Sequence, residues 1–358
     1  MITVKDENKL ILLTCLQRRT ENEENQIKQI ISLKLDWGYI VGQLIHHRLS
    51  GYFISYLSEN EKKYLYKEVN KQLSLIYKLN KYITMENMKF FSKIFEQFEK
   101  EGIKYAGLKG VIYNASMYEI GVRRSNDIDI LVPETEIKNI DSILRNNGFI
   151  QSVNSNREEA SKREKMIQRL KFHDLIPYYR NVDDSILIPY YKMDINFRVD
   201  NTKEGLTKKF FDYGTNVYEG NGYSVRGLRW ETHLLHLCIH FARETSNSVW
   251  VKDKRDCMLY KLVDIENTIR YLGKEKLKLW SEKVTQFECD EDIFITFFYL
   301  NKLYPNESYK QILEGVNVDE SIINKVKVLG TNDIISREKD YIDESFDLNY
   351  CIDFSKNN

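Results

Sequence analysis

The sequence predicts an α+β protein in which a small mixed sheet and its helices are flanked by N- and C-terminal helical regions. Three observations carry this prediction. Residues 5–101 show helix-type apolar spacing, short β-like runs separated by turn residues follow from Ile103, and the helical period returns past Gly220.

Within the first region, Tyr64, Leu65, Val69, Leu73, Ile76 and Leu79 recur at helical spacing, with few glycines or prolines to interrupt them. The last helix runs through Met88, Phe90, Phe91, Ile94 and Phe98 and is expected to stop at Lys100-Glu101-Gly102, where glycine accepts the left-handed C-terminal position. From there the spacing predicts a strand at 103–108, a helix at 110–119, a strand at 127–132, a helix at 134–146 closed by Gly148, and a strand at 149–153. The charged run from Asn156 to Met166 reads as a solvated helix or insertion. Two further strands are expected at 171–180 and 186–199, joined across Asn181-Val-Asp-Asp-Ser. Helical spacing resumes strongly at Glu231 and runs to about residue 330, and the Asp- and Asn-rich end reads as an acidic tail. The resulting domain expectation is 1–101, 102–220, 221–337 and 338–358.

At 358 residues the chain has room for more than one domain, since a domain typically takes roughly 100–200 residues. Lys and Arg together number 53, as do Asp and Glu, so no global positive field favours a long nucleic acid. The five cysteines are odd in number, scattered and free of any C-x-x-C pair, which reads as reduced thiols in a cytoplasmic protein. The N-terminus shows no basic-then-apolar leader pattern, and no run of about 18 apolar residues suggests a membrane span.

The chemistry concentrates in Asn126-Asp127-Ile128-Asp129-Ile130-Leu131-Val132. Strand side chains alternate faces, so Asp127 and Asp129 project from one side while the apolar residues fill the other. Two acids so placed repel each other, and a bound divalent cation removes that penalty. The run from Tyr190 to Val199 also alternates, with Asp194, Asn196 and Arg198 on its polar face. If the two strands are neighbours, Asp194 completes a three-carboxylate cluster. Gly107-Leu108-Lys109-Gly110 sits at a strand-to-helix turn, where glycines permit close backbone approach, helix N–H groups favour phosphate and Lys109 adds a point charge.

Taken together, Gly107-Leu-Lys-Gly, Gly121-Val-Arg123-Arg124-Ser-Asn-Asp127-Ile-Asp129-Ile-Leu-Val and Asp194 resemble the nucleotidyltransferase superfamily of the DNA polymerase β type. More narrowly they resemble an uncharacterised bacterial nucleotidyltransferase family with L-K-G and R-x-x-x-D-I-D-x-L-V motifs. That resemblance spans about residues 35–300 and takes in Leu144 to Phe149 and the Leu235–His240 run. It implies a polymerase β-type core in which Asp127 and Asp129 bind two Mg²⁺ ions (or Mn²⁺) with a nucleoside triphosphate, ATP being favoured. Asp194 is the implied third carboxylate and catalytic base. The implied phosphate ligands are Gly107, Lys109 and Gly110, with Arg123 and Arg124 neutralising triphosphate charge. The implied reaction moves a nucleoside monophosphate to a hydroxyl, phosphate or amine of a small molecule or peptide and releases pyrophosphate. Two departures stand out: no serine follows the first glycine of the turn, and Asn196 stands where relatives often have histidine.

The alternatives are a catalytically idle nucleotidyltransferase fold used for binding or regulation, and a toxin-like enzyme acting on protein or tRNA. His233, His236 and His240 share one helix face and could hold zinc, line a domain junction or touch the nucleotide cleft. Tyr178, Tyr179, Tyr190 and Tyr191 on the late strands could stack on a base or an acceptor ring.

Overall fold

The computed structural model describes residues 5–125, 127–153, 158–329, 331, 333–337 and 339–349. Asn126 of the aspartate motif, residues 154–157 of the charged run and residues 350–358 of the expected tail lie outside the described residues. The architecture is α+β, with one seven-stranded mixed sheet, a two-stranded hairpin and many helices. It divides into two compact units, residues 78–233 and a second unit formed by the residues up to Tyr77 together with those from Leu234.

The unit of residues 78–233 contains the large sheet. Its strands are β1 (Ala106–Gly107), β2 (Ile128–Leu131), β3 (Ile150–Gln151), β4 (Tyr178–Asn181), β5 (Tyr190–Asn196), β6 (Thr215–Gly220) and β7 (Tyr223–Leu228), in the spatial order β3-β4-β5-β2-β1-β7-β6. β2 runs parallel to β5 and antiparallel to β1, and β1 runs parallel to β7. The long helix Lys67–Lys100 ends as its sequence foretold. Gly102 N–H reaches Glu99 O at 3.2 Å and Ile103 N–H reaches Phe98 O at 2.9 Å, the paired bonds of a left-handed glycine cap. Ile103 and Phe98 are both buried, so the cap also brings two apolar residues together.

One face of the sheet is core. Ile128 and Ile130 from β2, Met193 and Ile195 from β5, and Tyr178 from β4 pack with Phe91, Ile94, Phe95 and Phe98 of the long helix and with Ile140 and Leu144 of the helix Ile137–Asn146. Period-two alternation therefore sends Asp129, Lys192, Asp194 and Tyr179 to the opposite face.

Several elements differ from the sequence expectation. The strand expected at 103–108 pairs only over two residues. The strand expected at 171–180 begins at Tyr178, because Lys162–Lys171 forms a helix with a Ser161/Glu164 capping box and no buried residue, extending the solvated segment foreseen for the charged run. The hairpin of β6 and β7 occupies a stretch where the sequence reading saw no strand, and the helix that follows starts at Trp230.

The second unit is helical apart from β8 (Lys325–Lys327) and β9 (Ile334–Ser336). Its N- and C-terminal contributions are tied by Asn267, whose side chain accepts from Gln17 N–H at 2.8 Å and donates to Cys15 O at 3.1 Å. The segment Tyr341–Phe346 forms a short helix with Tyr341 fully buried. Among the described residues no helix is long and apolar enough to cross a membrane.

Candidate functional site

The parallel pairing of β2 with β5 places Asp129 directly opposite Asp194 in register. Asp127 precedes β2 by one residue, with its side chain 41% exposed against 16% for Asp129 and 18% for Asp194. The conditional expectation that the two strands are neighbours is met, and it brings acids from two strands far apart in sequence side by side on one sheet face.

Two ammonium groups hold these acids. Lys109 Nζ lies 3.2 Å from Asp129 Oδ1, and Lys192 Nζ lies 2.6 Å from Asp194 Oδ2 and 3.5 Å from Asp127 Oδ2. Sequence reasoning placed no lysine against the acids on their own face, and Lys192 was missed. The signal was present, because Lys192 has the same strand parity as Asp194 and needed only one more step of the alternation.

The electrostatics follow from this arrangement. Burial, with Asp127 and Asp129 nearby, pushes the Asp194 carboxyl up to about 7 although Lys192 opposes the shift. For Asp127 the balance reverses. Burial raises it, but Lys192, Lys109 and Arg123 together draw it below its ordinary value. Asp194 Oδ1 is buried and has no hydrogen-bond partner among the described residues.

The turn before the helix Gly110–Ser116 is tightly determined. Leu108 N–H donates to Asp129 O at 3.0 Å and Val111 N–H to Leu108 O at 3.1 Å. Lys109 N–H donates to His233 Nε2 at 3.1 Å. Lys109 itself sits at φ 48, ψ −120, a conformation that costs a non-glycine residue about 1–3 kcal/mol and persists where the surroundings impose it. Gly110 is required by close approach, since a Cβ there would lie 2.6 Å from Ser125 Oγ and 2.7 Å from Arg123 Nη1. Ser125 thus brings a hydroxyl to the turn that lacks its own serine. Its Oγ accepts from Asn114 Nδ2 and Arg123 Nη1, each at 3.2 Å. Arg123 is buried beside the turn, whereas Arg124 is exposed.

The remaining sequence candidates separate. His233 is fully buried and its imidazole is driven down to about 3, by burial first and then by Arg123 and Lys109, so it is a neutral acceptor for the turn. His236 and His240 belong to the other unit, where His240 Nε2 lies 3.4 Å from Glu244 Oε1. With His233 Nε2 given to an N–H, the three do not form a zinc set. Tyr178 and Tyr191 face the core, while Tyr179 and Tyr190 lie on the carboxylate side with rings 5.2 Å apart, edge to face. Asn196 donates to Ile130 O at 3.2 Å and serves the strand pairing.

The three acids fit a divalent cation by their chemistry: oxygen donors on one face of adjacent strands, one of them a buried orphan oxygen. Among the described residues only Asp256, Cys257 and Glu344 bring three ligand atoms, two carboxylate oxygens and a thiol sulfur, within 4.8 Å of one another, so the three sheet aspartates are spaced more widely than that. That group is already filled by the Arg337 guanidinium, with Nη2 2.6 Å from Asp256 Oδ2 and Nη1 hydrogen-bonded to Glu344.

Residues 34–305 match the family model described as an uncharacterised nucleotidyltransferase. The match covers well over half of the chain, which therefore belongs to that family, and nucleotidyl transfer is the family's general activity. No curated protein matches the chain.

Proposed function

Because the chain belongs to this nucleotidyltransferase family, we propose that it moves a nucleoside monophosphate, AMP from ATP, to a hydroxyl, phosphate or amine of a small molecule or peptide. The observation that carries this reading is the in-register pair Asp129 and Asp194, with Asp127 beside them on one sheet face. Mg²⁺ held by these carboxylates would supply charge neutralisation for the displacement at phosphorus.

Asp127, Asp129 and Asp194 hold the cations in this reading. The Leu108, Lys109 and Val111 amides are engaged within the protein, and the Lys109 ammonium supplies the turn's positive charge towards phosphate, with Arg123 buried beside it. The acceptor's nucleophilic atom attacks the α-phosphorus and forms the new bond. The bond from that phosphorus to the bridging oxygen breaks, and pyrophosphate leaves. Asp194, the acid on the β5 side of the site, takes the acceptor's proton.

Calorimetric titration with Mg²⁺ and each nucleoside triphosphate tests the site, using wild type beside an Asp127→Ala/Asp129→Ala double variant. Binding is expected in the wild type and loss of it in the variant; equal affinity in both overturns the assignment. The lysines that satisfy the acids without a metal also suit an idle fold kept for binding or regulation. Pyrophosphate release with any acceptor decides between the two.

A further inference from the structure

Lys192 occupies a position that the nucleotidyl-transfer reading leaves unexplained. It lies on β5 two residues before Asp194, and its ammonium bridges Asp194 and Asp127, two of the three acids expected to hold metal. In sheet order the Gly107–Gly110 turn belongs to the β1 side of β2, while Lys192 and its register partner Tyr179 belong to the β5 and β4 side. The two site lysines therefore flank the acids from opposite sides.

A divalent cation that takes Asp127 and Asp194 removes both of these carboxylates from Lys192 and replaces them with positive charge. Two cations a few ångströms apart repel, and an ammonium only 21% exposed at its side chain recovers little solvation where it stands. A negative group must meet it. The triphosphate is drawn to the Lys109 side of the acids, so the group that meets Lys192 comes from the other substrate. An ammonium binds phosphate as a point charge, and Coulomb attraction favours the more highly charged phosphate over a singly charged carboxylate.

We propose that Lys192 is a displaceable counter-ion that holds Asp127 and Asp194 in the metal-free site and, once metal takes those acids, binds a phosphate group carried by the acceptor. This rests on the nucleotidyl-transfer reading and narrows it, because the acceptor becomes a phosphate-bearing compound. It also makes metal loading the event that opens the acceptor subsite.

The test uses the full chain as wild type, Lys192→Met and Lys192→Arg, with Mn²⁺ alone as the first probe. Loss of the competing ammonium is expected to tighten Mn²⁺ binding by roughly tenfold in Lys192→Met, and retention of charge to leave Lys192→Arg near wild type. The second probe is inorganic phosphate, titrated after saturation with Mn²⁺ and an ATP analogue bearing a methylene bridge between the α- and β-phosphorus. Phosphate is expected to bind wild type and Lys192→Arg and to weaken by roughly tenfold or more in Lys192→Met, with acetate binding poorly to wild type and Lys192→Met.

Mn²⁺ affinity in Lys192→Met no higher than in wild type overturns the counter-ion role. Equal phosphate binding in all three proteins, or acetate binding to wild type as well as phosphate does, overturns the acceptor assignment. Wild type that binds neither Mn²⁺ nor the Mn²⁺–analogue complex overturns the nucleotidyl-transfer reading instead, so the two failures are distinct. Lys192→Gln, which removes the charge but keeps a polar tip, is read against the same expectations if the Met variant folds poorly.

Discussion

Each unit of the molecule contains an acidic cluster paired with its own cations, and the two pairings differ in kind. In the helical unit, Asp256 and Glu344 share the Arg337 guanidinium, whose side chain is 1% exposed and which also donates to Thr245 O at 2.6 Å. In the sheet unit, Asp127, Asp129 and Asp194 share two ammonium groups that are 19% and 21% exposed. Both clusters carry one more acid than base within their direct ion pairs. The difference lies in the cation. A guanidinium fork in a closed interior is fixed and stays charged, whereas ammonium groups on flexible stems at an open face can be displaced. The first cluster is a lock, and the second holds its acids with cations that a ligand of the proposed kind could displace.

The largest expected effect comes from breaking the lock. Arg337→Met leaves two buried carboxylates without their cation and is expected to cost about 3–5 kcal/mol of stability. Lys192→Met, at a partly exposed pair, is expected to cost about 1 kcal/mol or less. Urea denaturation of the two variants checks this, and equal losses would erase the distinction between lock and site.

A second comparison sets one buried histidine in each unit against the other. His47 is pushed down to about 3 by burial and by His46, with its Nδ1 accepting from Leu259 N–H at 3.2 Å and its Nε2 donating to Ser345 O at 2.8 Å. His233 is depressed to about 3 while accepting from Lys109 N–H. In both, the folded value lies below the unfolded one, so the unfolded chain binds more protons. The stability from these neutral rings is complete above about pH 6.5 and is lost as pH falls from there towards 3. Each histidine contributes a slope of about 1.4 kcal/mol per pH unit within that window. Denaturant midpoints between pH 7.5 and 5 should flatten in His233→Asn and separately in His47→Asn. A slope unchanged in either variant would remove that ring from the account.

The two units also differ in how much of them the sequence discloses. Asp127, Asp129 and Asp194 are legible because a strand's two-residue period exposes polar residues set between apolar ones, and Gly102 is legible because a helix end demands it. Lys192 escapes because Tyr190 and Tyr191 adjoin it, and tyrosine fits either face. The hairpin of β6 and β7 escapes because its edge strand is largely exposed and lacks apolar alternation, although Asn221-Gly222 is a strong two-residue turn signal. His233 and Ser125 meet the turn across 124 and 15 residues of chain, measured from Lys109 and Gly110, distances over which no local pattern speaks. The Arg337 cluster draws on residues scattered between Asp256 and Glu344 near an acidic end that reads as tail, so its burial is invisible until the chain is folded.

The smallest expected effect concerns the strained residue at the site. Lys109 contributes two separable things: an ammonium on Asp129, and a backbone held at positive φ between His233 and the glycine that follows. Lys109→Gly and Lys109→Ala both remove the ammonium, so its loss cancels when the two are compared. What remains is the cost of a Cβ at φ 48 against the greater unfolded freedom of glycine. Because the native geometry suits glycine and opposes alanine, Lys109→Gly should be the more stable by about 1 kcal/mol, read from urea midpoints. An alanine variant as stable as the glycine variant would mean that the turn relaxes freely. In that case the positive φ would reflect no constraint from His233 and Gly110, and the site's rigidity would rest on its ion pairs alone.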